Sequence, residues 1–270
     1  MVKSNREMQD RESRIRINLD DEFKEQYTLA KPILDSLGIK AIFFINGSCI
    51  EEKKVNMVHK IHWIRSIIPP GKFIENIETA LKETNINVPI SLEKFQPAEG
   101  QNIYDTLEVR YIKYMLNHIL PSEIVEKIIE KIYKKYNDNE ADHSNTLYMN
   151  KDMITDLADK SMIGSHGYEH DVKSILSEAE IIEDFQRNQH MLEELTGKRT
   201  HFISYPYGGK KAVSLKVAKC AADTGHSLGF TIERAVNLSF SQPLLLARFD
   251  TNDAPCGKRP LLDTSKNKYD

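Results

Sequence analysis

Cysteine is scarce in this chain, tryptophan occurs once, and neither a basic excess nor a long apolar run is present. Cys49, Cys220 and Cys256 are widely spaced and form no Cys-x-x-Cys pair. An odd, sparse count argues against a disulfide framework and suits a reducing compartment. Lys and Arg (37) do not outnumber Asp and Glu (40), and the formal net charge of −3 leaves no electrostatic footprint for nucleic acid. No stretch approaches the ~20 consecutive apolar residues of a membrane span. The opening Met1-Val-Lys-Ser-Asn-Arg-Glu-Met-Gln-Asp10 has no apolar centre of the kind that directs secretion. These absences predict a cytoplasmic protein with no transmembrane segment, and they leave the oligomeric state open.

What is present suffices for a sizeable core. Of the 270 residues, 40% are apolar, enough for one large α/β domain, and 29% are charged, as on a water-facing surface. Residues 1–13 carry six charges and read as a loose arm. Arg14 to Asp20 alternates polar residues with Ile15, Ile17 and Leu19, the pattern of a half-buried strand. Glu25 to Leu37 has helical spacing, with Leu29, Ile33, Leu34 and Leu37 on one face and Gly38 as its stop. Ala41-Ile-Phe-Phe-Ile45 is a continuous apolar run suited to a buried parallel strand, which completes a βαβ unit.

From about 50 to 150 the composition shifts to Lys, Ile, Asn and Glu with helical periodicity, as in Ile124, Ile128, Ile129 and Ile132. This stretch is expected to be a helical insertion, too long for a structureless loop. Trp63 lies within it, as a packing residue or a sugar-stacking group. Alternation then resumes. Asn150 caps a helix to Asp159, and Met162–Ser165 is a strand. A helix Ser177–Thr196 opens on Ser177-x-x-Glu180 and stops at Gly197. Strands at His201–Ser204, Ser227–Ile232 and Leu244–Phe249 flank a helix Lys211–Thr224, and a tail frays beyond Lys266. Repeated β-then-α predicts a parallel sheet or barrel, and periodicity alone also allows an open doubly wound sheet.

Three places carry chemistry. The acidic pair Asp20-Asp21 ends the first strand, and two neighbouring carboxylates share one site only where a strand is ending. His166 and His170, four apart, follow another strand, a spacing that recurs in metal sites. Tyr205-Pro206-Tyr207-Gly208 is a turn at a third strand exit, where backbone N–H groups face an oxyanion or the tyrosines simply pack. Active-site groups of α/β barrels sit at such strand ends.

In this order the three elements resemble the polysaccharide deacetylase family (carbohydrate esterase family four). Its Thr-Phe-Asp-Asp-Gly motif reads Asn18-Leu19-Asp20-Asp21-Glu22 here, its His-(Ser/Thr)-x-x-His reads His166-Gly167-Tyr168-Glu169-His170, and its Arg-x-Pro-Tyr reads Ser204-Tyr205-Pro206-Tyr207. The likeness runs over residues 14–48 and about 150–253. It implies a distorted, incomplete (β/α)7-type barrel within residues 14–265, bearing the helical insertion. It also implies a divalent metal on Asp21, His166 and His170, most often Zn2+, with Co2+, Ni2+, Mn2+ or Fe2+ as alternatives. Asp20 would be the general base, the backbone N–H of Tyr207 an oxyanion donor, and Tyr205, Pro206 and Gly208 substrate-binding residues. The partner would be an N-acetylated carbohydrate, from which the enzyme removes acetyl groups.

Three positions depart from the family pattern. Glu22 replaces a glycine, and Ser204 replaces the arginine that orients the base. No histidine follows His226 to act as the late acid. Arg248, at a later strand end, is the candidate replacement guanidinium. A catalytically silent homologue that binds a glycan or a protein is the alternative function. A facial triad for ferrous iron uses the same three ligands but leaves the second aspartate and the turn without a task.

Overall fold

The computed structural model describes residues 16–83, 91–97, 105–237, 240–254 and 256–259. The N-terminal arm, Ile15 and the C-terminal tail lie outside these described residues. The chain forms two compact units, one of Met1–Glu52 with Asn145–Asp270, the other of Lys53–Ser144. In chain order the elements are β1 (Ile17–Leu19), α1 (Lys31–Ser36), β2 (Ala41–Ile45), α2 (Gly47–Glu51), α3 (Met57–Ile67), α4 (Pro70–Lys82), α5 (Leu107–Tyr114) and α6 (Ser122–Tyr136). There follow α7 (Glu140–Leu147), α8 (Lys151–Asp159), β3 (Ile163–Ser165), α9 (Glu178–Thr196), β4 (Phe202–Ser204), α10 (Leu215–Asp223), β5 (Leu228–Arg234) and β6 (Leu246–Arg248).

The six strands are all parallel and pair in simple sequence order, β1 to β6. A doubly wound sheet reverses its strand order at a switch point, and this one does not. Side chains inside the sheet show that it curls. Phe44 of β2 and Phe230 of β5 have ring centroids 5.7 Å apart, although a flat sheet would hold strands three places apart at roughly 14 Å. With Leu246 they fill a small interior core, against which Ile42, Phe202 and Leu228 pack. The alternate residues of β2, Phe43 and Ile45, face outward into the helices, where they join Ile154, Leu157 and Leu192. Gly164 of β3 is required by this interior: a Cβ there would lie 2.4 Å from the Phe44 ring. The architecture is therefore the distorted, incomplete (β/α) barrel, with six strands among the described residues.

Local signals place several of the helices. Asn150 accepts from the Met153 N–H at the start of α8. Ser177 and Glu180 form a reciprocal capping box on α9, which ends on Gly197 in the left-handed conformation. The segment after β1 differs from the expected amphipathic helix. A π-helical turn, Gln26–Ala30, precedes α1 and shifts the register. Tyr27 and Leu34 then meet the core, while Leu29, Ile33 and Leu37 are exposed. Leu29, Ile33 and Leu37 still share a face at i, i+4 spacing, but that face is turned to solvent and the one carrying Tyr27 and Leu34 to the core.

The Lys53–Ser144 unit is helical and has its own core, centred on Phe73, Ile129 and Tyr133 and including Ile128 and Ile132. Trp63 packs edge-on against Tyr133 (centroids 5.4 Å) and beside His143. Its ring is thus a packing group of this core rather than a free stacking platform.

Candidate active site

In a parallel barrel every strand points the same way, so residues far apart in sequence meet at one rim. Asp20 and Asp21 follow β1, Asn46 follows β2, His166 follows β3, and Arg248 ends β6. Asp21 and Glu22 have positive φ, 75° and 39°. Turning the chain through this sparsely populated region lets consecutive carboxylates leave the extended geometry that would send them to opposite faces.

The Asp20 carboxylate is gripped from two sides. Arg248 donates through both terminal nitrogens, Nη1 to Oδ1 at 2.9 Å and Nη2 to Oδ2 at 2.8 Å. The Ser204 hydroxyl donates to Oδ2 at 3.0 Å. Burial raises the Asp20 pKa, but the charges of Arg248 and His166 outweigh it, and the net shift is downward. Arg248 is itself aimed by a hydrogen bond from Nε to the Thr231 carbonyl, 2.8 Å. Thr231 lies in the stretch of β5, between Phe230 and Arg234, where the pairing with β6 is irregular. So the guanidinium missing at position 204 arrives from β6, and Ser204 adds a second donor.

Asp21 lies against both histidines: its Oδ1 is 3.2 Å from His170 Nε2 and 3.5 Å from His166 Nε2. One ligand atom from each of these three residues falls within 4.8 Å of the others, close enough for the three to hold one metal ion between them. His166 Nδ1 is 2.7 Å from the Ser204 carbonyl. A carbonyl only accepts, so Nδ1 carries a proton and Nε2 is the ring nitrogen turned towards Asp21. The rings of His166 and His170 stand 5.2 Å apart, and Tyr207 packs edge-on against His170 at 4.8 Å.

Glu22, where the resembled motif has glycine, is fully buried. Its Oε2 accepts from the Asn46 N–H at 2.8 Å. Burial, with the nearby charge of Asp21, pushes its pKa up to about 8 against the opposing Asn46 hydrogen bond, so it is mostly neutral at pH 7. Asn46 in turn donates through Nδ2 to the carbonyls of His166 and Gly167. Glu22 thereby becomes an internal tie from the aspartate turn to the histidine loop. Asn46 went unnoticed in the sequence, where an asparagine after a strand carries no signal of its own.

In the Tyr205–Gly208 turn, Tyr205 is buried and its hydroxyl donates to the Leu244 carbonyl at 2.9 Å. Pro206 and Gly208 are buried as well, and a Cβ on Gly208 would meet Ile232 at 2.9 Å. Tyr207 is the exposed side chain of the four. Its φ of 61° is a left-handed conformation that a bulky residue rarely adopts. Among the described residues no group accepts from its N–H.

His226 does not reach this site. It is buried between Gln189, Thr224 and Phe185, with Nε2 3.2 Å from Gln189 Nε2 and Nδ1 3.0 Å from the Thr224 hydroxyl. Burial, assisted by Arg199 and His201, depresses its pKa to about 4. Because the folded value lies below the ordinary 6.5, unfolding takes up a proton between the two. This contribution to stability is complete above pH ~6.5 and is lost as the pH falls towards 4, by about 3 kcal/mol in all. Urea unfolding from pH 4 to 7 is expected to show that slope, and His226→Gln to flatten it. Equal slopes in both proteins would refute the assignment.

Among the described residues no helix is long and apolar enough to cross a membrane. No curated protein matches the chain. The fold is similar to that of the BpsB deacetylase domain from Bordetella bronchiseptica, with 13% identity, TM-score 0.46, and coverage of 87% of this chain and 70% of that one. It is also similar to IcaB from Ammonifex degensii (16% identity, TM-score 0.46, coverage 87% and 66%). A third similar structure is the Streptococcus pyogenes deacetylase PplD in complex with acetate (14%, 0.41, coverage 86% and 62%). The chain thus spans 62–70% of the length of these solved chains. Residues 121–226, which include His166, His170 and the Tyr205–Gly208 turn, match the polysaccharide deacetylase family.

Proposed function

We propose that this protein is a metal-dependent hydrolase that removes N-acetyl groups from an acetamido sugar in a polysaccharide, a lipid-linked intermediate or a small glycan. The observation that carries this reading is the convergence of Asp21, His166 and His170 beside an Asp20 carboxylate held by Arg248. Two imidazoles and one carboxylate, with Nε2 of His166 turned inward by the Ser204 carbonyl on Nδ1, fit a divalent cation of the zinc type. Such an ion, when bound, supplies Lewis acidity to a carbonyl and acidity to a water molecule.

The chain's own groups do the rest. Asp20, ionised at neutral pH, accepts the proton of the attacking water, and the Arg248 fork fixes the carboxylate's plane for that transfer. The Tyr207 N–H donates to the oxyanion that forms at the acetyl carbon. The substrate contact passes to the exposed Tyr207 side chain, while the buried Tyr205, Pro206 and Gly208 shape the turn that presents it. With His226 locked in the core, the proton that the departing amine takes up is the one Asp20 has removed from the water, which returns the carboxylate to its ionised state.

The test is acetate release from a panel of N-acetylated glycans, before and after chelation and after return of Zn2+. Acetate that disappears with chelator and returns with metal supports the reading. Chelator-insensitive release would refute the metal's part. Zinc binding with no release from any glycan would leave the catalytically silent homologue, which the buried His226 favours.

A further inference from the structure

We propose that the buried Lys173–Asp184 ion pair is the positioning device that holds the metal-histidine loop in register, an inference that rests on Asp21, His166 and His170 being the metal ligands. Between the two histidines, residues 167–169 belong to no helix or strand. Asn46 holds the Gly167 carbonyl and the Ser48 N–H the Tyr168 carbonyl, which leaves the Tyr168 and Glu169 N–H groups and the Glu169 carbonyl to be held from elsewhere.

The ion pair supplies that restraint. The Asp184 carboxylate accepts from the Tyr168 N–H at 3.1 Å and from the Glu169 N–H at 2.8 Å, one through each oxygen. Lys173, whose side chain is 0% exposed, pairs with Asp184 at 2.7 Å and donates to the Glu169 carbonyl at 2.7 Å. One ion pair therefore satisfies three polar groups of the loop backbone. Asp184 stands on α9, a 19-residue helix capped at both ends, so the restraint is anchored to a rigid element.

Gly167 shows how closely the loop lies on this pair. Its φ is +78°, and a Cβ would sit 2.7 Å from Asp184 Oδ2 and 3.1 Å from Lys173 Cε. A buried ion pair contributes little net stability compared with an apolar replacement of similar shape. What it adds here is geometry, the kind of outer support on which metal affinity depends.

The experiment uses Zn2+ alone as probe, by competition with a chromophoric chelator. The double variant Lys173→Met/Asp184→Asn removes both charges together, so no unpaired buried charge remains. It is expected to remain folded, with a metal-free melting midpoint lowered by the loop groups it leaves unpaired, and to bind zinc about 10–100-fold more weakly. Gly167→Ala, which pushes the loop off the pair without changing any charge, should weaken zinc binding in the same direction. A folded double variant with wild-type zinc affinity would overturn the proposal. A wild-type protein that binds no zinc would instead sink the metal-site reading itself. Hydrogen exchange in metal-free wild type judges the clamp with no variant at all: the Tyr168 and Glu169 amides should be protected, and exchange at unfolded-chain rates overturns it.

Discussion

Asp20→Asn is expected to lower acetate release by about 10²–10⁴-fold while zinc affinity stays within a few-fold of wild type. The two effects separate because Asp20 and Asp21, though adjacent, have different neighbours. Asp21 faces the two Nε2 atoms, whereas Asp20 faces Arg248 and Ser204. An amide in place of the carboxylate keeps the shape but cannot take a proton from water. It also turns an N–H2 group towards the donors of Arg248 or Ser204, where no acceptor remains. The measurements are kcat on an N-acetylated glycan and zinc titration of the same preparation. Undiminished kcat would remove Asp20 from the role of base, and zinc affinity lost together with kcat would move it among the ligands.

Arg248→Ala should reduce kcat by about 10²-fold, with KM and zinc affinity changing far less. The guanidinium makes two charge-assisted hydrogen bonds to Asp20, and this geometry fixes the plane of the carboxylate. Lysine is a point charge and cannot form a fork, so Arg248→Lys should recover only part of the loss. A loss confined to kcat marks a residue that acts through the base rather than by holding substrate. Wild-type kcat in Arg248→Ala would refute the role. Ser204, with one hydroxyl donor on Asp20 Oδ2, cannot substitute for the fork alone.

Much of this site was readable before any coordinates, and for identifiable reasons. His166 and His170 lie in one short segment, so their spacing survives as a pattern. Asp20-Asp21 marks itself by ending an alternating strand. The capping box at Ser177 and Glu180 and the stop at Gly197 were equally local. The stripe after β1 reads differently in the structure: Leu29, Ile33 and Leu37 do share a face, but apolar spacing does not reveal whether a face meets the core or solvent, and this one is exposed. The burial of Tyr205 was also hidden, since a Tyr-Pro-Tyr-Gly turn does not reveal which tyrosine faces water.

By itself the sequence determined the βα alternation, the helical character of the middle segment and the identity of the three ligand candidates. These rest on periodicity, caps and short spacings, which are properties of neighbouring residues. Only the tertiary structure decided that the sheet curls, since Phe44 must meet Phe230 across its interior. It alone brought Arg248 to Asp20 over 228 positions, took His226 out of contention, and set Lys173 and Asp184 under the histidine loop. Each of those depends on contacts between distant segments, and an ion pair or a guanidinium fork has no spacing to read until the chain has folded.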